Sequence, residues 1–380
     1  MEYRLEEIFD LQMGKTPSRS NPEYWDSDDN KWISIADLSK CGKYIEETKE
    51  YLSDKAVEES GISLIPENTV IMSFKLSIGK TAITPESMYS NEAIMSFRDK
   101  HIVDLLPDYV YYMFSGRNWD EGTNKAVMGK TLNKATLSKI KVKIHPIDEQ
   151  REIVKILDKV LTVLEARKNE LVALDDLTKA RFVELFGNPI YNTYNLPVKC
   201  LDDLGEWASG GTPSRTVSGY FEGDINWYSA GELNTLFLEG SIEKITEEAI
   251  EKSAAKLFKA GSMLVGMYDT AAFKMGILRE DSASNQACAC ITPNEEVNVI
   301  WLYYELQLMK EHFLSQRRGV RQKNLNLGMI KGFVVPFAEK DQQNKFAAFV
   351  KQVDKSKVEV QRALDETQKL FDSLMQQYFG

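Results

Sequence analysis

The sequence predicts an α+β protein in which one globular domain is used twice and long helices separate the two copies. Three observations support this prediction. The chain of 380 residues repeats itself at an interval of about half its length. Each half begins with short apolar runs punctuated by glycine and proline, which are typical of strands and turns. The first half then ends in a stretch with heptad-spaced apolar residues, which the second half echoes; this pattern is typical of a long helix.

The repeat is carried by motifs that recur in the same order. Residues 14–19 (Gly-Lys-Thr-Pro-Ser-Arg) return as residues 210–215 (Gly-Gly-Thr-Pro-Ser-Arg). The further matches are Tyr24-Trp25 with Tyr220-Phe221, 32–38 with 227–233, 140–146 with 330–336, Glu149-Gln150 with Asp341-Gln342, and Phe186-Gly187 with Phe379-Gly380. The offsets lie between 190 and 196 residues, so small insertions and deletions are expected in loops. A unit of this size is large enough to be a domain with its own core.

The globular parts are expected at residues 1–146 and 188–336. Residues 69–74 and 262–267 are short apolar runs and are predicted to be strands. Residues 108–114 and 299–313 are predicted to be helices. Strands and helices mixed in this way indicate an α+β domain.

Residues 147–187 and 337–380 are predicted to be two long spacer helices. Residues 148–185 contain no glycine or proline. Apolar residues step by four and three at Ile153, Leu157, Val160 and Leu164. The seam continues at Leu171, Leu174 and Leu185, and its counterparts in the second copy are Phe346, Val350, Val353, Leu364 and Tyr378. Polar residues interrupt this seam at different points, because Arg167 corresponds to Val360 and Lys357 to Leu164. We therefore expect the two helices to pack on each other; the alternative is that each packs on its own domain.

The charge distribution decides whether nucleic acid is a possible partner. The net charge of −10 argues against phosphate binding. However, residues 117–143 contain seven basic and two acidic side chains, and residues 310–331 contain six basic and one acidic. Each segment therefore carries a local charge of +5 at the same place in the repeat, as phosphate neutralisation requires. The side chains there that suit base edges are Lys130, Asn133, Arg318, Arg321, Gln322 and Asn324; the alternative is a solvated basic loop.

Two further sets of residues are candidates for DNA contact. The recurring loops contain Thr16, Ser18, Arg19, Thr212, Ser214 and Arg215. Such side chains can bind phosphate, but threonine and serine can equally cap a turn and arginine can pair inside the domain. Lys75 and Lys274 follow glycine-flanked strand ends and could approach the DNA backbone; exposure to solvent is the alternative.

The sequence does not support catalytic, metal or cofactor sites in this chain. Gly-Lys-Thr at 14–16, 79–81 and 129–131 lacks the preceding glycine of a phosphate-binding loop. Residues 188–191 (Asn-Pro-Ile-Tyr) lack the second proline of an adenine methyltransferase motif and follow a helix end. Cys288 and Cys290 are interpreted as small strand residues and not as metal ligands. Neither a membrane span nor a signal peptide is expected, so we predict a cytoplasmic location.

The doubled set of motifs resembles the specificity subunits of type I restriction-modification systems. The resemblance covers the Gly-x-Thr-Pro-Ser-Arg openings, the boundary at 139–153 and the helix end at 181–189, in the same order twice. It implies two target-recognition domains at the ends of an antiparallel, coiled-coil pair of long helices. Each domain would read one half of a split double-stranded DNA target, and the helices would set the spacer between the halves. The implied partners are two modification subunits carrying an adenine methyltransferase, and possibly restriction subunits.

The second copy departs from the first where its helix begins. Residues 341–343 (Asp-Gln-Gln) replace 149–151 (Glu-Gln-Arg), which lets the two docking surfaces differ slightly. Two rival hypotheses remain open. One is a coiled-coil interaction scaffold that never reads DNA, which the acidic total charge favours. The other is a self-contained enzyme, against which the incomplete motifs count.

Overall fold

The chain divides into two units built on the same plan. One unit is formed by Met1–Lys168 with Arg362–Gly380, and the other by Asn169–Gln361. The computed structural model describes residues 1–75, 77–119, 132–316 and 324–380. Four predicted DNA contacts, namely Lys130, Arg318, Arg321 and Gln322, lie outside the described residues.

The first half of the chain contains nine strands and six helices among its described residues. The strands are β1 (Glu2–Arg4), β2 (Phe9–Met13), β3 (Asn30–Ile33), β4 (Glu50–Leu52), β5 (Val70–Ser73), β6 (Thr81–Ile83), β7 (Tyr89–Ser90), β8 (Ile94–Asp99) and β9 (Lys141–Lys143). The helices are α1 (Leu5–Ile8), α2 (Ile35–Leu38), α3 (Asp54–Ser60), α4 (Pro107–Ser115), α5 (Lys134–Ser138) and α6 (Ile147–Phe186).

The second half repeats this order with additions. Its strands are β10 (Val198–Cys200), β11 (Gly205–Ser209), β12 (Ile225–Tyr228), β13 (Phe237–Leu238), β14 (Glu243–Ile245), β15 (Leu257–Phe258), β16 (Met263–Gly266), β17 (Met275–Leu278), β18 (Ser282–Ser284), β19 (Cys288–Pro293) and β20 (Val334–Pro336). Its helices are α7 (Glu247–Lys252), α8 (Val299–Leu308), α9 (Lys310–Ser315), α10 (Leu327–Lys331) and α11 (Lys340–Phe379).

The described residues of each unit form three separate sheets. In the first unit their strand orders are β2-β8-β5-β6, β4-β3-β7 and β1-β9. In the second unit they are β11-β19-β16-β17-β13, β14-β12-β18-β15 and β10-β20. The predicted strands at 69–74 and 262–267 are confirmed as β5 and β16, and both lie inside a sheet. Every residue of these two strands is buried, which explains their unbroken apolar runs.

The predicted helices are also present. The helix expected at 108–114 is α4, and the one expected at 299–313 is divided at Met309 into α8 and α9. Cys288 and Cys290 lie in β19 and are buried among apolar side chains, as the sequence predicted. Burial raises the pKa of the Cys288 thiol to about 12, which keeps it protonated. The motif at 32–38 contains the N-terminal cap of α2, in which the amide and hydroxyl of Ser34 donate to Asp37. Ser229 and Glu232 repeat this arrangement in the second unit.

The structure corrects the register of two motif matches, one through backbone hydrogen bonds and one through burial. Leu5 N donates to Ile140 O, and Leu201 N donates to Phe333 O, so Ile140 is equivalent to Phe333. The match of Ile140 with Ile330 was therefore wrong by three residues. The partner of Gln150 was also misplaced by one residue, because the buried equivalent is Gln343 and Gln342 is exposed. Loops between the motifs absorb these shifts, and sequence identity alone did not locate them.

The buried glutamines Gln150 and Gln343 fix the start of each long helix to its globular domain. The side chain of Gln150 donates to the carbonyls of Asp104 and His145, both at 2.9 Å, and accepts from Leu106 N at 3.1 Å. Gln343 donates to Ala338 O at 2.8 Å and to Glu296 O at 3.3 Å, and accepts from Asn298 N at 2.7 Å. Both side chains are fully buried, so these bonds replace water and hold α4 or α8 against the helix start.

A charged cluster adds a second attachment in the first unit. Lys43 lies 2.5 Å from an Asp108 oxygen and 2.6 Å from an Asp158 oxygen, and its side chain is mostly buried. Tyr44 donates to Asp108 at 2.7 Å, and Tyr112 donates to Asp158. The cluster therefore joins the loop before β4, the start of α4 and the long helix α6.

The heptad positions face inward along both long helices. In the first unit Ile153 and Leu157 of α6 share a core with Met375 of α11. In the second unit Phe182 of α6 contacts Phe346 of α11 with ring centroids 5.2 Å apart, and Lys357 pairs with Asp175. As α6 is followed from 182 back to 175, α11 runs forward from 346 to 357, so the helices are antiparallel within this unit.

The long helices also pack on the globular parts. Tyr109 of α4 contacts Phe379 at a centroid distance of 5.4 Å, and Trp301 of α8 contacts Phe186 at 6.4 Å. The sequence left helix–helix packing and helix–domain packing as alternatives, and each unit uses both. Among the described residues, no helix is apolar over a length that could cross a membrane.

Candidate nucleic-acid interface

The recurring loop, at 14–19 in the first unit and 210–215 in the second, directly follows the edge strand β2 or β11. This strand belongs to the larger sheet of its unit, which we call the large sheet. Gly14 N donates to Ile94 O, and Gly210 N donates to Cys288 O. A Cβ at Gly14 would lie 2.1 Å from the Ser90 carbonyl oxygen, and one at Gly210 would lie 2.4 Å from that of Ser284. The motif therefore begins with glycine because only a residue without a side chain lets the two backbones approach so closely.

A buried tryptophan fixes the loop in both units by donating a hydrogen bond to a loop carbonyl. Trp32 Nε1 donates to Lys15 O at 3.1 Å, and Trp227 Nε1 donates to Gly211 O at 3.0 Å. Both indole rings are buried. The pairing of the loop motif with a tryptophan further along the sequence thus has a direct structural cause.

The arginines of the loop are paired inside their own domains. Arg19 binds Glu50 of β4 with both terminal nitrogens, and Arg215 binds Glu243 of β14 with two bonds of 2.7 Å. The Arg19 guanidinium lies 3.6 Å from the ring centre of Trp25, and that of Arg215 lies 4.6 Å from Phe221. This is one of the two alternatives that the sequence left open, and the proposed phosphate contact of these guanidiniums stays a prediction.

The hydroxyls of the loop have short-range partners. Ser18 and Ser20 are hydrogen-bonded at 2.8 Å, as are Ser214 and Thr216. Thr16 donates to the carboxylate of Glu92, and Thr212 donates to the side-chain oxygen of Gln286. Glu92 and Gln286 occupy equivalent turns that the sequence interpretation missed, although Ser90-Asn91-Glu92-Ala93 and Ser284-Asn285-Gln286-Ala287 are a readable match.

Several predicted residues of the first unit converge on Glu92. The hydrogen bond from Thr16 holds the pKa of the Glu92 carboxyl below its usual value, and the charges of Lys75 and Arg19 lower it further. Thr16, Arg19 and Lys75 therefore share one surface region. Lys75 also lies 5.2 Å from the ring centre of Phe74.

The position predicted for Lys274, after the end of a strand, was wrong. Lys274 precedes β17 and does not follow a strand end. Ser73 N donates to Lys80 O, and Gly266 N donates to Lys274 O, so Lys274 is equivalent to Lys80. Lys80 is exposed, and the ammonium of Lys274 lies 3.4 Å from Gly231 O.

The basic segments are anchored in the same way in both units. In the first unit, the described chain ends at Trp119 and resumes at Leu132, whose amide donates to Phe74 O. In the second unit, Leu325 N donates to Met267 O. Leu132 of the segment 117–143 and Leu325 of the segment 310–331 therefore bind equivalent backbone positions beside the large sheet.

Asn133 and Asn324, the two asparagines predicted to contact bases, have different structural environments. Asn133 caps α5 by accepting from Thr136 N at 2.8 Å, and its equivalent Asn326 caps α10 by accepting from Met329 N at 2.9 Å. Asn324 precedes the buried Leu325. The helix cap supplies a structural reason for Asn133, whose predicted contact with a base remains untested.

Some of the positive charge of these segments is paired at the surface. Lys141 binds Glu2 at 2.9 Å, and Lys331 binds Asp202 at 2.9 Å. All four side chains are at least one-third exposed, so these pairs contribute little to stability. Within the described residues, no group of three or more His, Cys, Asp or Glu side chains could hold a metal ion.

Comparison with known proteins identifies the family. The model of the type I restriction modification DNA specificity domain matches residues 1–174 and again 195–367. The specificity subunit of the type I restriction enzyme MjaIX from Methanocaldococcus jannaschii is 26% identical over 189 residues, which are 49% of this chain and 42% of that protein. The EcoR124I/EcoR124II specificity subunit from Escherichia coli is 25% identical over 212 residues, which are 54% of this chain and 52% of that protein. The chain thus spans about half the length of these curated relatives.

Solved structures share the fold over the whole chain. A type I restriction-modification S subunit from M. genitalium matches with a TM-score of 0.57 at 13% identity, covering 99% of this chain and 94% of that one. A chain from a study of complex assembly and conformational transition of the type I system matches with a TM-score of 0.64 at 14% identity, covering 100% and 97%. With the family domain matched once in each half, the chain belongs to the type I restriction-modification specificity family.

Proposed function

We propose that this chain is the DNA-recognition subunit of a type I restriction-modification complex and performs no catalysis itself. Its recognition domains would span residues 1–146 and 188–336, and each would read one half of a split target. One observation carries the proposal: both units repeat the same loop, the same turn and the same backbone bond to a leucine of their basic segment. Two equivalent reading surfaces with different side chains suit a target made of two different half-sites.

The residues proposed for DNA contact divide into two groups. Thr16, Ser18, Lys75, Thr212, Ser214 and Lys274 would contact phosphates and position the domain. Lys130, Asn133, Arg318, Arg321, Gln322 and Asn324 would reach base edges. Arg19 and Arg215 are already paired with glutamates, so in our proposal they contact phosphate through their remaining donors.

The long helices, at 147–187 and 337–380, would set the spacer and bind two modification subunits. Ile156 and Val163 of α6 are exposed and lie one heptad apart, so they share the outer face of this helix in the first unit. Leu177 is 50% exposed, and its counterpart Leu370 in α11 is 52% exposed. An apolar residue at equivalent outer positions of both helices suits two copies of one partner.

The central experiment is methylation mapping with the reconstituted complex of this chain and its modification subunit. We expect adenine methylation in a split asymmetric sequence. Methylation without a split motif would contradict the proposal. Absence of salt-dependent DNA binding by the complex would instead favour the interaction scaffold, which the net charge of −10 supports.

A length change in both helices tests the ruler. Removing one heptad from each, residues 165–171 and 358–364, keeps the seam in phase and shortens the pair by about 10 Å, or about 3 base pairs. The spacer should shorten while both half-sites stay unchanged. A length-preserving control, Glu165→Gln, should leave the spacer as it is; altered half-sites in the deletion variant would refute the ruler.

A further inference from the structure

We propose that Glu92 and Gln286 are matched specificity-determining residues that contact base edges, Glu92 a cytosine and Gln286 an adenine. This inference rests on the proposed function and extends it to two residues of the turns between β7 and β8 and between β18 and β19. Both side chains are exposed. They differ in chemistry but stand on the same backbone frame.

The frame is identical in its hydrogen bonds. The side chain of Asn91 accepts from Ala93 N at 3.0 Å, and that of Asn285 accepts from Ala287 N at 3.0 Å. Asn91 N donates to Ile33 O at 3.1 Å, and Asn285 N donates to Tyr228 O at 2.9 Å. Each turn is thereby fixed to the neighbouring sheet, and the residue at its tip is held outward.

The turn lies directly beside the anchor of the basic segment. Phe74 N donates to Ala93 O at 3.0 Å, while Phe74 O accepts from Leu132 N at 3.3 Å. In the second unit Met267 makes the same two bonds, with Ala287 O and Leu325 N, both at 2.9 Å. A single residue therefore connects the turn to Leu132 or Leu325 in each unit. The side chain at 92 or 286 thus stands beside the described part of the basic segment.

The loop hydroxyl orients both side chains. Thr16 donates to a Glu92 oxygen, and Thr212 donates to the Gln286 side-chain oxygen. Each acceptor oxygen has a second lone pair, so it can also accept from a base. Holding the loop is a role that Glu92 and Gln286 share, and it gives no reason for them to differ.

The difference between them is explained by base recognition. A carboxylate on a DNA-binding surface is repelled by the negatively charged phosphates. Its presence is favourable only if it accepts a hydrogen bond from a base, since a phosphate has no donor to offer. Among base edges in the major groove, the cytosine amino group pairs with Glu or Asp, and adenine pairs with Asn or Gln. Lys75 and Arg19 lie close enough to lower the pKa of Glu92, and their charges offset the repulsion from the DNA backbone.

Reciprocal exchange of the two residues tests the inference. Glu92→Gln and Gln286→Glu each place the side chain of one unit on the matching frame of the other, where it can still accept from the threonine. The complex with its modification subunit is used, and the readout is binding to a library with randomised half-sites. Glu92→Gln should change one position of one half-site from cytosine to adenine, with a roughly 5- to 150-fold change in preference. Gln286→Glu should do the reverse in the other half-site.

The controls separate charge from position. Glu67→Gln also removes one negative charge. Glu67 lies before β5, at the opposite end of this strand from Phe74, which binds the turn. Gln342→Glu adds a charge at the exposed start of α11. Both controls should keep the parental target. Unchanged half-sites in both exchange variants would overturn the inference, while a parental complex with no split target would overturn the proposed function instead.

Discussion

The buried carboxyl of Glu305 offers a sharp test of how the second unit is stabilised. Glu305 lies in α8 with 1% of its surface exposed, and its Oε1 has no hydrogen-bond partner among the residues that the structure describes. Val110 N donates to Leu106 O, and Leu302 N donates to Asn298 O, so the equivalent residue in the first unit is Met113. Replacement of Glu305 by methionine therefore places the residue of one repeat in the core of the other.

The expected gain follows from the cost of an unpaired buried polar group. That cost is about 1–3 kcal/mol, and a methionine of similar size leaves no cavity. For a unit of this size, the melting temperature should rise by roughly 2–4 °C per kcal/mol. Differential scanning calorimetry of the purified chain at pH 7 measures this gain.

The stability gain of Glu305→Met should depend on pH in a defined direction. Burial raises the pKa of Glu305 well above its usual value of 4.5. The folded state therefore binds the proton more tightly than the unfolded state does. Stability from this group is fully present below about pH 4.5 and is lost as pH rises towards the folded pKa. The advantage of Glu305→Met should thus be smaller near pH 4.5 than at pH 7, and Glu305→Gln should remove the pH dependence while keeping the polar atoms.

The reasoning would be refuted by a methionine variant that is less stable than the parent at pH 7. Such a result would mean that the carboxyl makes a favourable interaction in the folded chain. A gain that did not change with pH would also contradict the account, because the raised pKa of Glu305 requires the cost of burying this group to depend on pH.

Three further predictions concern attachment and recognition. Gln343→Ala removes three hydrogen bonds and should lower the free energy of unfolding by about 3 kcal/mol in urea titrations, whereas the exposed Gln342→Ala should change it by less than about 0.5 kcal/mol. Lys43→Met leaves two carboxylates together and should lower the melting temperature, with a loss of about 2 kcal/mol because Asp158 is partly exposed; a stability equal to that of the parent would show that the cluster is solvated. Arg321→Ala should alter recognition of one half-site only, and methylation mapping that shows both half-sites changed would contradict independent reading.

The repeat explains why much of the fold could be predicted. The two heptad patterns predicted two long helices, and α6 and α11 each run for 40 residues. Apolar runs at 69–74 and 262–267 predicted strands, and the structure adds that both strands are covered on both faces, which is why they need no polar side. The matching motifs predicted two domains, because each copy carries the residues of a complete loop and cap.

The candidate interface was harder to predict, since it depends on neighbours distant in sequence. Thr16 was identified, but its partner Glu92 is 76 positions away and was overlooked. Gln150 was noted as part of a motif, yet its equivalent was placed one residue early because Gln342 and Gln343 are adjacent. Arg19 and Arg215 were assigned no partner, since nothing in the local sequence indicates Glu50 or Glu243.

The sequence by itself determined the duplication, the positions of the long helices and the basic segments, because periodicity and local composition are properties of neighbouring residues. Only the tertiary structure decided which side chains share a surface. Sheet pairing brings Ala93, Phe74 and Leu132 into one chain of hydrogen bonds, and the same holds for Ala287, Met267 and Leu325. The physical reason is that a backbone hydrogen bond between distant strands depends on register, and register is set by the packing of the whole domain.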